Sequence, residues 1–287
     1  MNRRNFLLAA AALPAVAQVK RQSGTHVRLG LNAYSFNRPL LDGAMKLDDV
    51  IDYCAAQKID GVDLTGYYFP GYPKVPSDEF LYAIKRRAFL NGVQITGTGV
   101  RNDFTSPDPA VLKTNIDLIK AWIEAARKLG ASDIRVFSGP AAAAGRSFGQ
   151  TLESMIPAFR ECADFGKEHG VIVALQEHND FLKTAADTIR VVEAVKSDWF
   201  AVNLDVGSLR QGDPYAEIEK LIPYACTWQI KEEVWRGTKA EPIDLPRLRG
   251  LIEKHGYRGY IPIEALGQGD QRAIVTAFLD KVRKAFA

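Results

Sequence analysis

The stretch VIVALQEHND, from Val171 to Asp180, changes from an apolar segment to a polar one within one residue step. Its first five residues are all apolar, which is typical of a parallel strand buried on both faces. Five polar residues follow at once, beginning with Gln176. In a barrel of parallel strands this position is the carboxyl end, where active sites are assembled. The stretch therefore predicts a buried strand that ends at a functional face.

The same succession of a short apolar strand and a helix repeats along the chain. The predicted strands span 27–36, 61–66, 93–98, 133–138, 171–176, 199–205, 225–230 and 260–265. The predicted helices between and after them span 47–58, 78–91, 107–129, 148–169, 184–196, 215–222, 245–255 and 270–286. This strict alternation indicates a parallel sheet, and eight units at this length predict a single (β/α)8 TIM barrel of the α/β class. No GxGxxG follows the first strand and no GxxxxGKS/T occurs, which argues against nucleotide-binding open sheets.

The composition excludes several classes of protein. The chain has 287 residues, of which 47% are hydrophobic and 25% charged, and its net charge is only +3. Because its basic residues are interleaved with acidic ones, we expect no nucleic-acid partner. The three cysteines are far apart and form no CxxC motif, which argues against a disulfide framework and against a structural zinc site.

The amino terminus reads as an export signal. A basic start is followed by a Leu/Ala-rich run and by Ala15-Val16-Ala17 as a small-x-small cleavage site, which together predict a signal peptide. Arg3 and Arg4 with the residues after them resemble a twin-arginine signal. We therefore predict a signal peptide at 1–17, a linker at 18–26 and the barrel at 27–287. The expected location is the bacterial periplasm, with no stable membrane insertion after the signal is removed.

Polar residues stand where the apolar strand runs end, and in a barrel these ends share one face. The first three strands supply Asn32, Tyr34, Asp63, Arg101 and Asn102. The last four supply Gln176, Glu177, His178, Asp205, Gln229, Lys231, Glu232 and Glu264, with Trp235 and Arg236 shortly after the seventh. Asp205 and Glu264 each end an apolar run, where a lone charge is costly unless it is paired, hydrogen-bonded or bound to a metal. These two are the strongest candidates for a functional role.

The segments AVNLDVG, WQIKEE and YIPIEALG, at 201–207, 228–233 and 260–267, resemble motifs of the xylose-isomerase-like barrels, a superfamily of sugar isomerases and epimerases. The resemblance covers nearly the whole mature chain. It implies that strands five to eight hold a divalent metal ion, with Mn²⁺ or Mg²⁺ favoured. It also implies that the ion grips vicinal oxygens of a sugar while carboxylates move a proton through an enediolate.

The four implied metal ligands are Gln176, Asp205, Gln229 and Glu264. Asp205 and Glu264 match the family aspartate and its last glutamate, while Gln229 stands at the histidine of the H-x-K-D segment. The strand-five glutamate falls on Gln176 or, shifted by one residue, on Glu177. Strand alternation puts Gln176 and His178 on the same side and Glu177 on the other, which favours Gln176. Glutamine is neutral and cannot act as a base, and losing histidine favours a hard ion over zinc.

Roles follow for the remaining candidates. The catalytic candidates are Glu264, Glu177, Lys231 and His178. Lys231 either polarises a carbonyl or acts as a base, or it forms an ion pair with Glu232 or Glu264. His178 contacts substrate or makes a structural hydrogen bond. The substrate-binding candidates are Asn32, Tyr34, Asp63, Arg101, Asn102, Glu232, Trp235 and Arg236.

We expect an isomerase or epimerase that acts on a non-phosphorylated sugar, cyclitol or glycoside through an enolate or enediolate. One alternative is a lyase or hydrolase of 3-keto-glycosides, which needs only one base. Another is a sugar-binding barrel without catalysis, suggested by the two glutamines at ligand positions. The chain has too few histidines for a three-zinc DNA-repair barrel. Its partner is thus a small carbohydrate, and the resemblance leaves a homodimer or homotetramer open.

Overall fold

The computed structural model describes residues 18–287, so the predicted signal peptide at 1–17 lies outside the described residues. Eight parallel strands close into a barrel, and helices connect them on the outside. The predicted (β/α)8 TIM barrel is therefore confirmed. The barrel strands are β1 His26–Asn32, β2 Gly61–Thr65, β3 Gln94–Gly99, β4 Asp133–Phe137, β5 Ile172–Gln176, β6 Phe200–Asp205, β7 Ala225–Lys231 and β10 Arg258–Glu264.

The helices begin and end at residues that the sequence marks for these positions. They are α1 Asn37–Leu41, α2 Leu47–Ala56, α3 Asp78–Leu90, α4 Pro109–Leu129, α5 Phe148–His169, α6 Ala185–Val195, α7 Pro214–Leu221, α8 Leu245–Lys254 and α9 Gln271–Phe286. Ser147 caps the start of α5 by accepting from the backbone N–H of Gln150, which satisfies an amide that has no partner inside the helix. Gly170 ends α5 in the left-handed conformation, φ 70°, which glycine adopts without steric cost.

None of the helices between residues 18 and 287 is both long enough and apolar enough to cross a bilayer.

Several local features differ from the sequence prediction, including the short helix α1, which was not predicted. The first strand ends at Asn32 rather than at Phe36, because the side chain of Asn32 accepts from the backbone N–H of Tyr34 and starts a short 3₁₀ turn. After β7 an antiparallel hairpin was not predicted, formed by β8 Glu233–Arg236 and β9 Lys239–Pro242. The described part of the predicted linker packs on the barrel, where Arg21 donates to the backbone carbonyl of Arg258 at 3.0 Å.

The barrel interior holds charged groups that fit only because β3 lacks side chains next to them. Asp133 and Arg135 on β4 are both buried. A Cβ atom added at Gly97 would lie 2.6 Å from the carboxylate of Asp133, and one at Gly99 would lie 2.9 Å from the guanidinium of Arg135. The alternating TGTG segment of β3 thus leaves the space that the two β4 side chains occupy.

Replacing Gly99 by alanine should therefore destabilise the protein. The added methyl group overlaps the buried guanidinium of Arg135, and overpacking of this kind costs about 1–3 kcal/mol. The measurement is the free energy of unfolding from urea denaturation. Gly250→Ala is the matched control, because Gly250 lies in α8 with nothing within 4 Å of an added Cβ. Equal stability of the two variants would contradict the packing account.

Candidate active site

The carboxyl ends of the barrel strands surround a cleft of three adjoining cavities. The central cavity has a volume of about 170 Å³ and is lined from several strands, including Asn32 on β1 and Glu264 on β10. A second cavity of about 320 Å³ lies beside Trp235, and a third of about 460 Å³ lies beside Asn102. His178 lines all three. The centre is smaller than sites for drug-sized ligands, which span roughly 300–1,000 Å³, so it suits a small molecule.

The four residues predicted to hold a metal meet at this face. Asp205 and Gln229 are register partners on β6 and β7, while Gln176 and Glu264 end β5 and β10. Gln176 donates from Nε2 to Oδ2 of Asp205 at 2.8 Å and to Oε1 of Gln229 at 2.9 Å. Because a carboxylate can only accept, the amide of Gln176 must turn its NH₂ group towards Asp205.

Lys231 lies between the two carboxylates of this set. Its Nζ is 2.9 Å from Oδ2 of Asp205 and 3.2 Å from Oε1 of Glu264. Register pairing places Glu264 directly beside Lys231 across β7 and β10. The side chain of Asp205 is fully buried, and those of Glu264 and Lys231 are 4% and 17% exposed. We call these three residues the lysine–carboxylate bridge. The ion pair of Lys231 with Glu264, one of the possibilities that the sequence left open, is present.

The bridge changes the pKa of each of its members. Burial alone lowers the pKa of Lys231, but Asp205 and Glu264 outweigh burial and raise it. Burial raises the pKa of Asp205, yet the ammonium of Lys231 prevails and the pKa is lowered. For Glu264 the effect of burial prevails, so its pKa is raised although Lys231 opposes the rise. Lys231 therefore remains a cation at physiological pH and does not act as a neutral base.

Glu177 points away from the central cavity. Its Oε1 accepts from the backbone N–H of Asp205 at 2.7 Å, and its side chain is 1% exposed. Burial raises the pKa of Glu177 well above its ordinary value, and the nearby Asp205 raises it further. Glu177 thus positions the strand that carries Asp205, while Gln176 is the strand-five residue that lines the cavity.

A second polar cluster forms the wall opposite the bridge. Arg135 on β4 lines the central cavity, and its Nη1 donates to Oη of Tyr67 and to the carbonyl of Val100, each at 2.7 Å. Its Nε is buried without a hydrogen-bond partner. Sequence reasoning missed Arg135, although a charge inside the apolar run DIRVF, opposite the glycines of β3, was a usable signal.

Asn32 on β1 and Asp63 on β2 lie between Glu264 on β10 and the wall that carries Arg135. Nδ2 of Asn32 donates to Oδ2 of Asp63 at 3.1 Å, so the two predicted residues are in contact, with Asn32 at the cavity surface. Burial raises the pKa of Asp63 to about 6, although Arg135 opposes the rise.

The remaining predicted residues divide into those at the cleft and those that support it. Tyr34 and Arg101 line the central cavity. His178 also lines it, and its Nδ1 lies 3.0 Å from Oδ2 of Asp180. Asn102 uses its amide to hold the backbone of Phe137, by donating to its carbonyl and accepting from its N–H.

The hairpin region carries the last three predicted residues. Glu232 and Trp235 line the second cavity, where the guanidinium of Arg210 lies over the Trp235 ring at 4.1 Å. Arg236 forms ion pairs with Glu241 at 3.1 Å and with Asp213 at 3.6 Å. It does not reach the cavities.

Comparison with known proteins now identifies the family. The sequence model described as "Xylose isomerase-like TIM barrel" matches residues 51–281. The chain belongs to this family. A search of curated proteins found no match.

Solved structures of this family's fold cover almost the whole chain. D-psicose 3-epimerase from Clostridium cellulolyticum, solved with D-tagatose, has a TM-score of 0.74 at 17% identity, covering 90% of this chain and 99% of the other. An L-ribulose 3-epimerase has a TM-score of 0.74 at 16% identity, covering 91% and 96%. The IOLI protein, solved with a bound zinc atom, has a TM-score of 0.73 at 17% identity, covering 91% and 99%. Because the sequence identities are only 16–17%, these structures establish the fold alone.

A divalent ion does not fit the four residues that stand at the implied metal positions of this xylose-isomerase-like barrel. Oδ2 of Asp205 already accepts from Lys231, Ser208 and Gln176. Its Oδ1 accepts from the backbone N–H of Gly207 at 3.0 Å. Within residues 18–287 no group of three or more His, Cys, Asp or Glu side chains could hold a metal ion. A hard ion needs several free oxygen ligands, and the oxygens of Asp205 are already occupied by these donors.

Replacing Lys231 by methionine should strongly destabilise the fold. The change leaves the two buried carboxylates without their cation, and breaking a buried ion pair on one side costs about 3–5 kcal/mol. The measurement is the free energy of unfolding at pH 7. Lys113→Met is the control, because Lys113 pairs with Asp117 on the surface, and it should have little effect. The double variant Lys231→Met/Asp205→Asn should lose less than the sum of its parts; strict additivity would contradict the bridge.

Asp63 should make stability depend on pH in a defined window. Its pKa of about 6 in the folded protein exceeds the ordinary value of 3.8, so the folded state binds the proton more tightly. The resulting stabilisation is complete below pH 3.8 and is lost as pH rises through about 6. It amounts to at most about 3 kcal/mol. Urea denaturation from pH 4 to 7 should show a smaller loss for Asp63→Asn than for wild type or Asp117→Asn. An unchanged slope would refute the assignment.

Proposed function

We propose that the chain is an enzyme of the isomerase or epimerase type that moves a proton next to the carbonyl of a non-phosphorylated sugar or cyclitol. One observation carries the proposal. The carboxylate of Glu264 lines the central cavity in contact with the ammonium of Lys231, and Arg135 lines the opposite wall. A carboxylate base flanked by two cations is suited to form and stabilise an enediolate.

Each residue has a role that follows from its place. Glu264 removes the proton from the carbon next to the carbonyl, and the electron pair moves to the carbonyl oxygen. Lys231 and Arg135 stabilise the negative charge on that oxygen, because they are preorganised donors in a site of low dielectric constant. Tyr34 and Tyr67 line the same cavity and provide surfaces against which a sugar ring packs. A proton then passes from the hydroxyl of the deprotonated carbon to the former carbonyl oxygen, and Glu264 returns its proton to the former carbonyl carbon, which completes an isomerisation.

Family membership and the activities of two proteins with similar structures support this choice. The matched family is described as xylose-isomerase-like, and two similar structures are a D-psicose 3-epimerase and an L-ribulose 3-epimerase. The resemblance of residues 1–17 to an export signal supports a periplasmic location and a substrate without phosphate, since sugar phosphates are largely cytosolic. A homodimer or homotetramer is the assembly that the family resemblance suggests.

A second candidate is favoured by the number of carboxylates at the central cavity. Among the described residues that line the central cavity, Glu264 is the one carboxylate. A lyase acting on 3-keto-glycosides needs only one base. Glu264 would remove the proton next to the keto group, the enolate would form, and the glycosidic C–O bond would then break as the leaving oxygen takes up a proton. An epimerase needs a second base on the opposite face of the sugar, and no second carboxylate lines this cavity among the described residues.

The test is deuterium exchange in D₂O with a panel of ketohexoses, ketopentoses and 3-keto-glycosides, followed by NMR. We expect exchange at the carbon next to the carbonyl, and Glu264→Gln should lower its rate by about 10²–10⁴-fold because the general base is lost. Glu168→Gln is the control, since Glu168 is exposed near the end of α5 and should retain full activity.

The outcomes separate the candidates. Exchange with isomerised product supports the isomerase, and release of the aglycone supports the lyase. Tight sugar binding without exchange or product would instead indicate a binding protein and would refute the enzymatic proposal.

A further inference from the structure

We propose that the ammonium of Lys231 is the built-in cation of this active site and takes the place that a divalent metal would occupy between Asp205 and Glu264. The wild-type protein then needs no metal. The inference about metal binding stands independently of the reaction, whereas the catalytic role of Lys231 rests on the proposed function.

The position of the ammonium is the first reason. Nζ lies within 3.2 Å of an oxygen of each carboxylate. A metal ion would bind the same oxygens at about 2.0–2.6 Å, and it would therefore lie against a positive charge that burial keeps away from water. Binding a metal between these carboxylates would require Lys231 to leave.

The hydrogen bonds of Asp205 are the second reason. Its Oδ2 receives donors from three side chains and its Oδ1 one backbone donor. A metal-binding carboxylate instead needs lone pairs directed at the ion. Gln176 also turns a donor, and not an acceptor, towards the centre of the set.

The charge balance is the third reason. Asp205 and Glu264 carry two negative charges, and Lys231 offsets one of them. A glutamate at position 176 would add a third buried anion beside a single ammonium, which is costly without further compensation. The neutral Gln176 avoids this cost. The two glutamines are departures from the family pattern, and both are consistent with an ammonium paired to Asp205 and Glu264.

The ammonium can also stabilise negative charge on a substrate oxygen, as a metal ion would. Lys231 has three N–H donors, of which two are directed at Asp205 and Glu264. The side chain also lines the central cavity, so the third donor is available for a substrate oxygen. There it stabilises a developing oxyanion by a charged hydrogen bond.

The experiment compares metal binding by wild type and by a variant that has the family's glutamate and histidine at positions 176 and 229 and lacks the ammonium of Lys231. Full-length protein purified without chelators is analysed for bound metal. The midpoint of its thermal unfolding is then measured with EDTA and with Mn²⁺, Mg²⁺ or Zn²⁺ at concentrations up to about 1 mM, the range in which weak metal sites are filled. We expect far less than one metal per chain and no shift of the midpoint. The triple variant Gln176→Glu/Gln229→His/Lys231→Ala should bind Mn²⁺ at least about tenfold more tightly, with a midpoint that rises with Mn²⁺ concentration. Lys113→Ala is the control and should behave as wild type.

The wild-type measurements alone can overturn the inference if the triple variant fails to fold. One equivalent of metal in wild type, or a metal-dependent midpoint that Asp205→Asn abolishes, would refute it. Deuterium exchange that persists in EDTA and falls at least about tenfold in Lys231→Met supports the catalytic role. Exchange that EDTA abolishes refutes that role. If no sugar of the panel exchanges, the proposed function fails, while the metal measurements still decide this inference.

Discussion

The ion pairs of Lys231 with Asp205 and Glu264 are the interaction on which the candidate site depends. They connect the ends of three neighbouring strands, β6, β7 and β10, at the carboxyl face. Burying three charges is costly, and the mutual attraction offsets this cost only when the geometry is good and further hydrogen bonds satisfy the remaining groups. Here Ser208 and Gln176 supply those bonds to Asp205. The arrangement therefore keeps a cation and a carboxylate fixed at the cavity wall.

The barrel supplies the rigid frame that such a cluster requires. Its closed set of parallel pairings fixes the register of Asp205 with Gln229 and of Glu264 with Lys231. On the opposite side, the glycines of β3 leave room for Arg135. Lys231 with Glu264 and, across from them, Arg135 line the same small cavity. Catalytic groups held in this way need little rearrangement when negative charge develops.

Much of the site could be predicted from the sequence because each barrel strand is apolar until it reaches the functional face. That rule found Asn32, Gln176, Asp205, Lys231 and Glu264. It failed for Arg135, which lies inside a strand and depends on glycines in the neighbouring strand. It also failed for Arg236, because the hairpin that carries this residue directs it to Glu241 and Asp213. Contacts between strands cannot be read from the order of residues within one strand.

The sequence by itself determined the eight strand–helix units, the barrel and the face at which polar residues collect, because these follow from local periodicity and from caps and glycines along one chain. Strand alternation also favoured Gln176 over Glu177 as the residue that lines the cavity. Only the tertiary structure decided that Lys231 lies between Asp205 and Glu264, and that Arg135 lines the same cavity. Those outcomes depend on strand register and on competition for the same space and hydrogen bonds. For that reason the residues that resemble a metal site in the sequence include, in three dimensions, two carboxylates that form ion pairs with Lys231.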